Sequence, residues 1–128
     1  MIKRILIIDD DMDVLNVMEE ALGYDGFEVV IASEIDDHQT MLRDKQIDLV
    51  IIDFLLHGIN GGEICYQIKH SPEFGHLPII IYSAYPKVVA SLGSYGCDAF
   101  IPKPFDLADV TSQINRLLHC SSNTMFTN

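Results

Sequence analysis

Three consecutive aspartates, Asp9, Asp10 and Asp11, follow directly on the apolar run Ile5–Ile8. Adjacent carboxylates repel one another, and at the end of a buried strand they are also partly desolvated, which disfavours their charged forms. The stretch is either a solvated turn or a place for a cation. Other chemistry-bearing groups stand at matching positions: Asp53 ends the apolar run Leu49–Ile52, Ser83 ends Ile79–Tyr82, and Lys103 follows Ala99–Ile101. If these groups converge, Asp9, Asp10 and Asp53 form a hard oxygen cluster of the kind that holds Mg2+ through a few carboxylates and waters. Lys103 adds a point charge suited to a phosphoryl oxygen, and Ser83 adds a hydroxyl donor. Such a set handles phosphoryl groups, chemistry that rests mainly on positioning and charge neutralisation. Asp53 would be its nucleophile, forming an acyl phosphate.

Convergence requires strands that end together. The runs named above, with Val29–Ala32, are rich in β-branched residues and continuous rather than alternating. That pattern predicts strands covered on both faces in a parallel sheet. Helical spacing lies between them. Leu15, Met18 and Leu22 make one stripe that GYDG (Gly23 to Gly26) stops. Ser33 and Asp36 match a capping box opening a second helix. Ile64 and Ile68 lie one turn apart before Ser71-Pro72, and Val110, Ile114, Leu117 and Leu118 form a final stripe. PKVVASLGSYG, from Pro86 to Gly96, has little amphipathic pattern and predicts a short or frayed helix. Strands alternating with helices give an α/β domain of five βα units, in which ligands bind at the carboxyl ends of the strands. The domain is expected over residues 1–119, with CSSNTMFTN, residues 120–128, as a polar tail.

The totals agree with one domain: 128 residues, 48 % hydrophobic and 21 % charged. A net charge of −11 repels phosphate backbones and anionic lipid, which argues against nucleic-acid and membrane partners. Cys65, Cys97 and Cys120 have no metal-ligand or disulfide spacing, and the histidines at 38, 70, 76 and 119 have none either. The N-terminal apolar run is too short for a signal-peptide core, and no run approaches the ~20 residues of a membrane span. A cytoplasmic protein is expected.

With these residues in order, the chain resembles the receiver domain of two-component response regulators from residue 3 to about 119. The marks are ILIIDDD, DLVIIDFLLHGINGGEI, IIIYSA and DAFIPKPF. The resemblance implies a flavodoxin-like doubly wound parallel sheet with strand order 2-1-3-4-5. It implies Mg2+ held by Asp9, Asp10, Asp53 and the backbone carbonyl of Leu55. Asp53 would be phosphorylated by a histidine kinase or a histidine phosphotransfer protein, and Lys103 would pair with the phosphoryl oxygen. Ser83 and Phe100 would be the switch pair, a cis peptide would precede Pro104, and a downstream protein target would meet the 86–119 face. Such a chain catalyses only its own phosphorylation and dephosphorylation, as a monomer or a weak dimer.

Simpler roles account for the rest. Asp11 reads as an N-cap, Asp98 as a turn residue, and Glu34, Asp36 and Asp37 as a solvated helix face with first-turn dipole partners. Three features depart from the family. His57 stands where a proline is usual, and its imidazole is a candidate modulator of pH dependence. The interval from Ser83 to Lys103 is about two residues short and poor in charge. Leu55 and Tyr85 place bulk beside the path of the hydrolytic water, which predicts slow autodephosphorylation. Two other readings compete: a phosphorylation-independent interaction module of the same fold, and a receiver belonging to a longer regulator. An aspartate-nucleophile phosphatase built on Asp9 and Asp11 is disfavoured, because Asp13 stands where that family wants Thr or Val.

Overall fold

The structure is a computed structural model that describes residues 2–34, 37–56, 59–84 and 96–123. Its elements, in chain order, are β1 (Arg4–Ile8), α1 (Met12–Tyr24), β2 (Glu28–Ala32), α2 (His38–Lys45) and β3 (Leu49–Asp53). There follow β4 (Leu55–Leu56), β5 (Ile59–Asn60), α3 (Gly61–Lys69), β6 (Ile79–Ser83), β7 (Ala99–Pro102) and α4 (Leu107–Asn123). The main sheet runs β2-β1-β3-β6-β7, with every pairing parallel. Counting its five strands alone, this is the expected 2-1-3-4-5 order. Each expected strand forms within one residue of the predicted ends.

Side chains on a strand alternate between faces, and the sheet separates two cores accordingly. Ile5, Ile7, Leu49, Ile51, Ile80, Tyr82 and Ile101 pack with Leu15 and Met18 of α1 and Val110 and Ile114 of α4. Leu6, Ile8, Val50, Ile52, Ile79 and Ile81 pack on the other face with Leu42 of α2 and with Ile64, Cys65 and Ile68 of α3. Double coverage explains why the strands read as unbroken apolar runs.

Three local features differ from expectation. Ser33 does not cap α2. The cap is Asp37, whose carboxylate accepts from the Thr40 N–H at 3.0 Å and the Thr40 hydroxyl at 2.6 Å. A competing Asp-x-x-Thr pattern four residues on wins because Thr40 supplies two donors, and Asp36 itself lies outside the described residues. A two-residue antiparallel hairpin, β4 with β5, also intervenes between β3 and α3. In addition, α4 runs on to Asn123, into the stretch expected as tail. Asp11 caps α1 as predicted, accepting from the N–H groups of Asp13 and Val14. Of the segment expected as a weak helix, Pro86 to Gly96, residues 86–95 lie outside the described residues.

Asp98 does more than turn the chain. It accepts from the Ile79 N–H at 2.8 Å and pairs with Lys69 at 2.6 Å, which ties α3 to the start of β6.

Candidate functional site

The sheet register brings the site together. Ile7 pairs with Ile51 and Ile8 with Ile52, so Asp9 and Asp53 emerge side by side from neighbouring strands. Asp53 pairs with Tyr82, and Tyr82 with Ile101, two residues before Lys103. Alternation then places Asp9, Asp53, Tyr82 and Lys103 on one face, above the core shared with α1 and α4. The Asp9 N–H donates to the Ala32 carbonyl at 3.1 Å, extending the ladder by one residue beyond β1.

Asp9 is fully buried and Asp53 is buried. Asp9 Oδ1 accepts from the Asp11 N–H at 2.9 Å. Its Oδ2 accepts from the Tyr82 hydroxyl and from Lys103 Nζ, the latter at 3.2 Å. Lys103 Nζ also lies 3.4 Å from Asp53 Oδ2 and 4.4 Å from the centre of the Tyr82 ring. The Leu55 N–H makes a long contact, 3.4 Å, to Asp53 Oδ1. Lys103 itself is anchored through its N–H to the Ser83 carbonyl at 2.7 Å, and the Lys103–Pro104 peptide is cis.

The electrostatics are unequal along the row. Burial, then the neighbouring Asp9 charge, raise the Asp53 pKa to about 6 against the partial relief given by Lys103. Burial pushes Asp9 upward too, but hydrogen bonds from Tyr82 and the Asp11 N–H, with the Lys103 charge, outweigh it and lower its pKa. Burial and the adjoining carboxylates push the Tyr82 phenol well above its ordinary value, so it stays a donor.

Carboxylate oxygens of Asp9, Asp10 and Asp53 lie within 4.8 Å of one another, the one such cluster among the described residues. Hard oxygen donors at that spacing suit Mg2+. The residues therefore fit the cation. Ser83 ends β6 and is buried, on the opposite face from Tyr82 by alternation. Phe100 packs, half-buried, against the core of that same opposite face. Leu55 is half-exposed in β4. His57 and Tyr85 lie outside the described residues.

Tyr82 was not singled out from sequence. The available signal was an aromatic with a polar tip following three isoleucines, Ile79-Ile80-Ile81-Tyr82, one residue before the end of the strand. A buried phenol needs a partner, but only the register shows that its partner is Asp9.

Comparison with known proteins shows the family and the fold. A family model described as "Response regulator receiver domain" matches residues 5–115. Response regulator MprA from Mycobacterium sp. (strain KMS) is 30 % identical over 122 residues, covering 93 % of this chain and 52 % of that protein. The chain thus spans about half the length of the curated relatives it matches. Among solved structures, a CheY-like response regulator receiver domain protein from Methanospirillum hungatei JF-1 superposes with a TM-score of 0.84 at 27 % identity, covering 97 % of this chain and 99 % of that one. Response regulator TrrA from Thermotoga maritima, solved in complex with Mg2+-BeF, has a TM-score of 0.80 at 27 % identity, covering 91 % and 99 %.

Proposed function

We propose that this protein, which belongs to the family of response regulator receiver domains, accepts a phosphoryl group on Asp53 in a Mg2+-dependent reaction and thereby alters the face it offers to another protein. The observation that carries this reading is the Asp9–Asp10–Asp53 cluster with Lys103 set 3.4 Å from Asp53. Asp9, Asp10 and Asp53, with the Leu55 carbonyl, would hold the cation, which when bound neutralises charge on the incoming phosphoryl group. An ionised oxygen of Asp53 attacks phosphorus. The P–N bond of a donor phosphohistidine breaks, and its electron pair leaves with the imidazole. Lys103 stabilises a phosphoryl oxygen through its ammonium. Ser83, at the end of β6, offers a hydroxyl to the phosphorylated carboxylate, and Phe100 responds on the neighbouring strand.

The donor is a histidine kinase or a histidine phosphotransfer protein, and the responding face includes residues 86–119. The chain catalyses its own phosphorylation and dephosphorylation and turns over no separate substrate. A cytoplasmic setting matches such donors, and among the described residues no helix is long and apolar enough to cross a membrane. The MprA relative is about twice as long. The same switch operates whether the chain acts alone or within a longer regulator.

The test is intact-protein mass spectrometry after incubation with acetyl phosphate and Mg2+. Wild type is expected to gain one phosphoryl group and Asp53→Asn none. An unmodified wild type overturns the reading and favours a phosphorylation-independent interaction module, and an adduct that survives in Asp53→Asn overturns it by moving the acceptor to another residue.

A further inference from the structure

The geometry points to Tyr82 as the positioning residue of this site, its hydroxyl fixing the Asp9 carboxylate for the cation and its ring face fixing the Lys103 ammonium. This rests on reading the cluster as a Mg2+ site, and the experiment separates the two ideas.

Asp9 is fully buried and has three donors: the Asp11 N–H on Oδ1, and the Tyr82 hydroxyl and Lys103 on Oδ2. Two of those donors approach from fixed directions. The Asp11 N–H belongs to the turn into α1, and the phenol belongs to a side chain in register with Asp53 and almost wholly buried. Lys103 is different, because it is shared between Asp9 and Asp53. When a phosphoryl group arrives, that ammonium is needed elsewhere. The Tyr82 hydroxyl then remains as the donor that holds Oδ2, while the Asp11 N–H holds Oδ1. Groups that orient a metal ligand in this way set affinity without touching the metal.

The ring has a second task. Lys103 Nζ stands 4.4 Å from its centre, within cation–π range, so the ring face supports the ammonium at the height of both carboxylates. Core filling alone does not require a hydroxyl. Phe105 packs edge-on against the same ring at 5.7 Å, a contact that phenylalanine at position 82 would keep.

The two tasks divide between two variants. Tyr82→Phe removes the hydroxyl and keeps the ring; Tyr82→Leu removes both. By calorimetric titration Tyr82→Phe is expected to bind Mg2+ about tenfold more weakly than wild type. Its phosphorylation from acetyl phosphate would need correspondingly more Mg2+ for half-maximal rate, and would recover at saturation. Tyr82→Leu would also lose rate at saturating Mg2+, because Lys103 loses its support. In the Asp9→Asn background, Tyr82→Phe should change Mg2+ affinity no further. In wild type labelled with 13C at tyrosine, the Tyr82 ring signal should shift with Mg2+ at the binding midpoint, a readout independent of any variant's folding.

Equal or tighter Mg2+ binding by Tyr82→Phe overturns the proposal. So does an undiminished effect in Asp9→Asn, or a Tyr82 signal that ignores Mg2+. A wild type that binds no Mg2+ overturns the site reading itself, and the proposal with it.

Discussion

Asp53 carries an electrostatic burden that its neighbours only partly relieve. Its folded pKa of about 6 stands above the ordinary 3.8, because burial and then Asp9 disfavour the charged form. For an acid raised on folding, stability is full below the unfolded value and falls as pH climbs through the folded one. The fold therefore bears the cost of an ionised Asp53 above about pH 6. Asparagine has nearly the same shape and no charge. In EDTA at pH 8, Asp53→Asn should be more stable than wild type to urea by on the order of 2 kcal/mol. The gain should shrink between pH 6 and 4 and vanish below it. Mg2+ at pH 8 should narrow the gap by stabilising wild type alone. A gap independent of pH would place the cause outside this carboxylate. At this scale the sequence was legible wherever an apolar run stopped at a polar group, as at Asp9, Asp53 and Lys103. Tyr82 was hidden because its partner lies 73 positions away and is set by strand pairing.

At the scale of elements, the end of β3 is fixed from behind by the start of α3. The Gly61 N–H donates to the Phe54 carbonyl at 2.8 Å, and a Cβ on Gly61 would stand 2.1 Å from the Asp53 carbonyl oxygen and 2.8 Å from Ile52 Cγ2. The nearest obstacle is backbone, so it cannot rotate aside. Gly61→Ala should destabilise by about 3 kcal/mol or more and displace Asp53. Gly23, within α1, meets nothing within 4 Å, and Gly23→Ala should stabilise by about 0.5 kcal/mol through helix propensity and a less flexible unfolded chain. Chemical denaturation of the two variants checks the contrast, and similar ΔG changes would refute it. Strand positions were readable because period and composition are local signals. The α2 cap was misassigned because two adjacent segments offered capping patterns and only the structure shows Thr40 answering Asp37. The β4–β5 hairpin, at two residues a strand, is too short to leave a period at all.

Across the whole molecule, order should decline from the sheet's centre to its edges. β1 and β3 are paired on both sides and their apolar residues are all but inaccessible, whereas β2 and β7 form the edges and are only partly covered. Amides opening only on global unfolding belong to the best-packed elements. Hydrogen exchange should therefore be slowest in Ile5–Ile8 and Leu49–Ile52 and measurably faster in β2 and β7. Uniform protection across the five strands would contradict this. The architecture was legible from sequence because a parallel sheet covered on both faces imposes apolar runs and leaves the polar chemistry to the strand ends.

One peptide unit joins what the sheet otherwise divides. Tyr82 faces the core beneath the carboxylates, while Ser83, the next residue, faces the core on which Phe100 packs. Successive residues of a strand share a backbone plane, so the two layers do not need a relay of touching side chains to communicate across the sheet. A small tilt at this link would be transmitted to both layers at once, in opposite senses, as on the two arms of a balance.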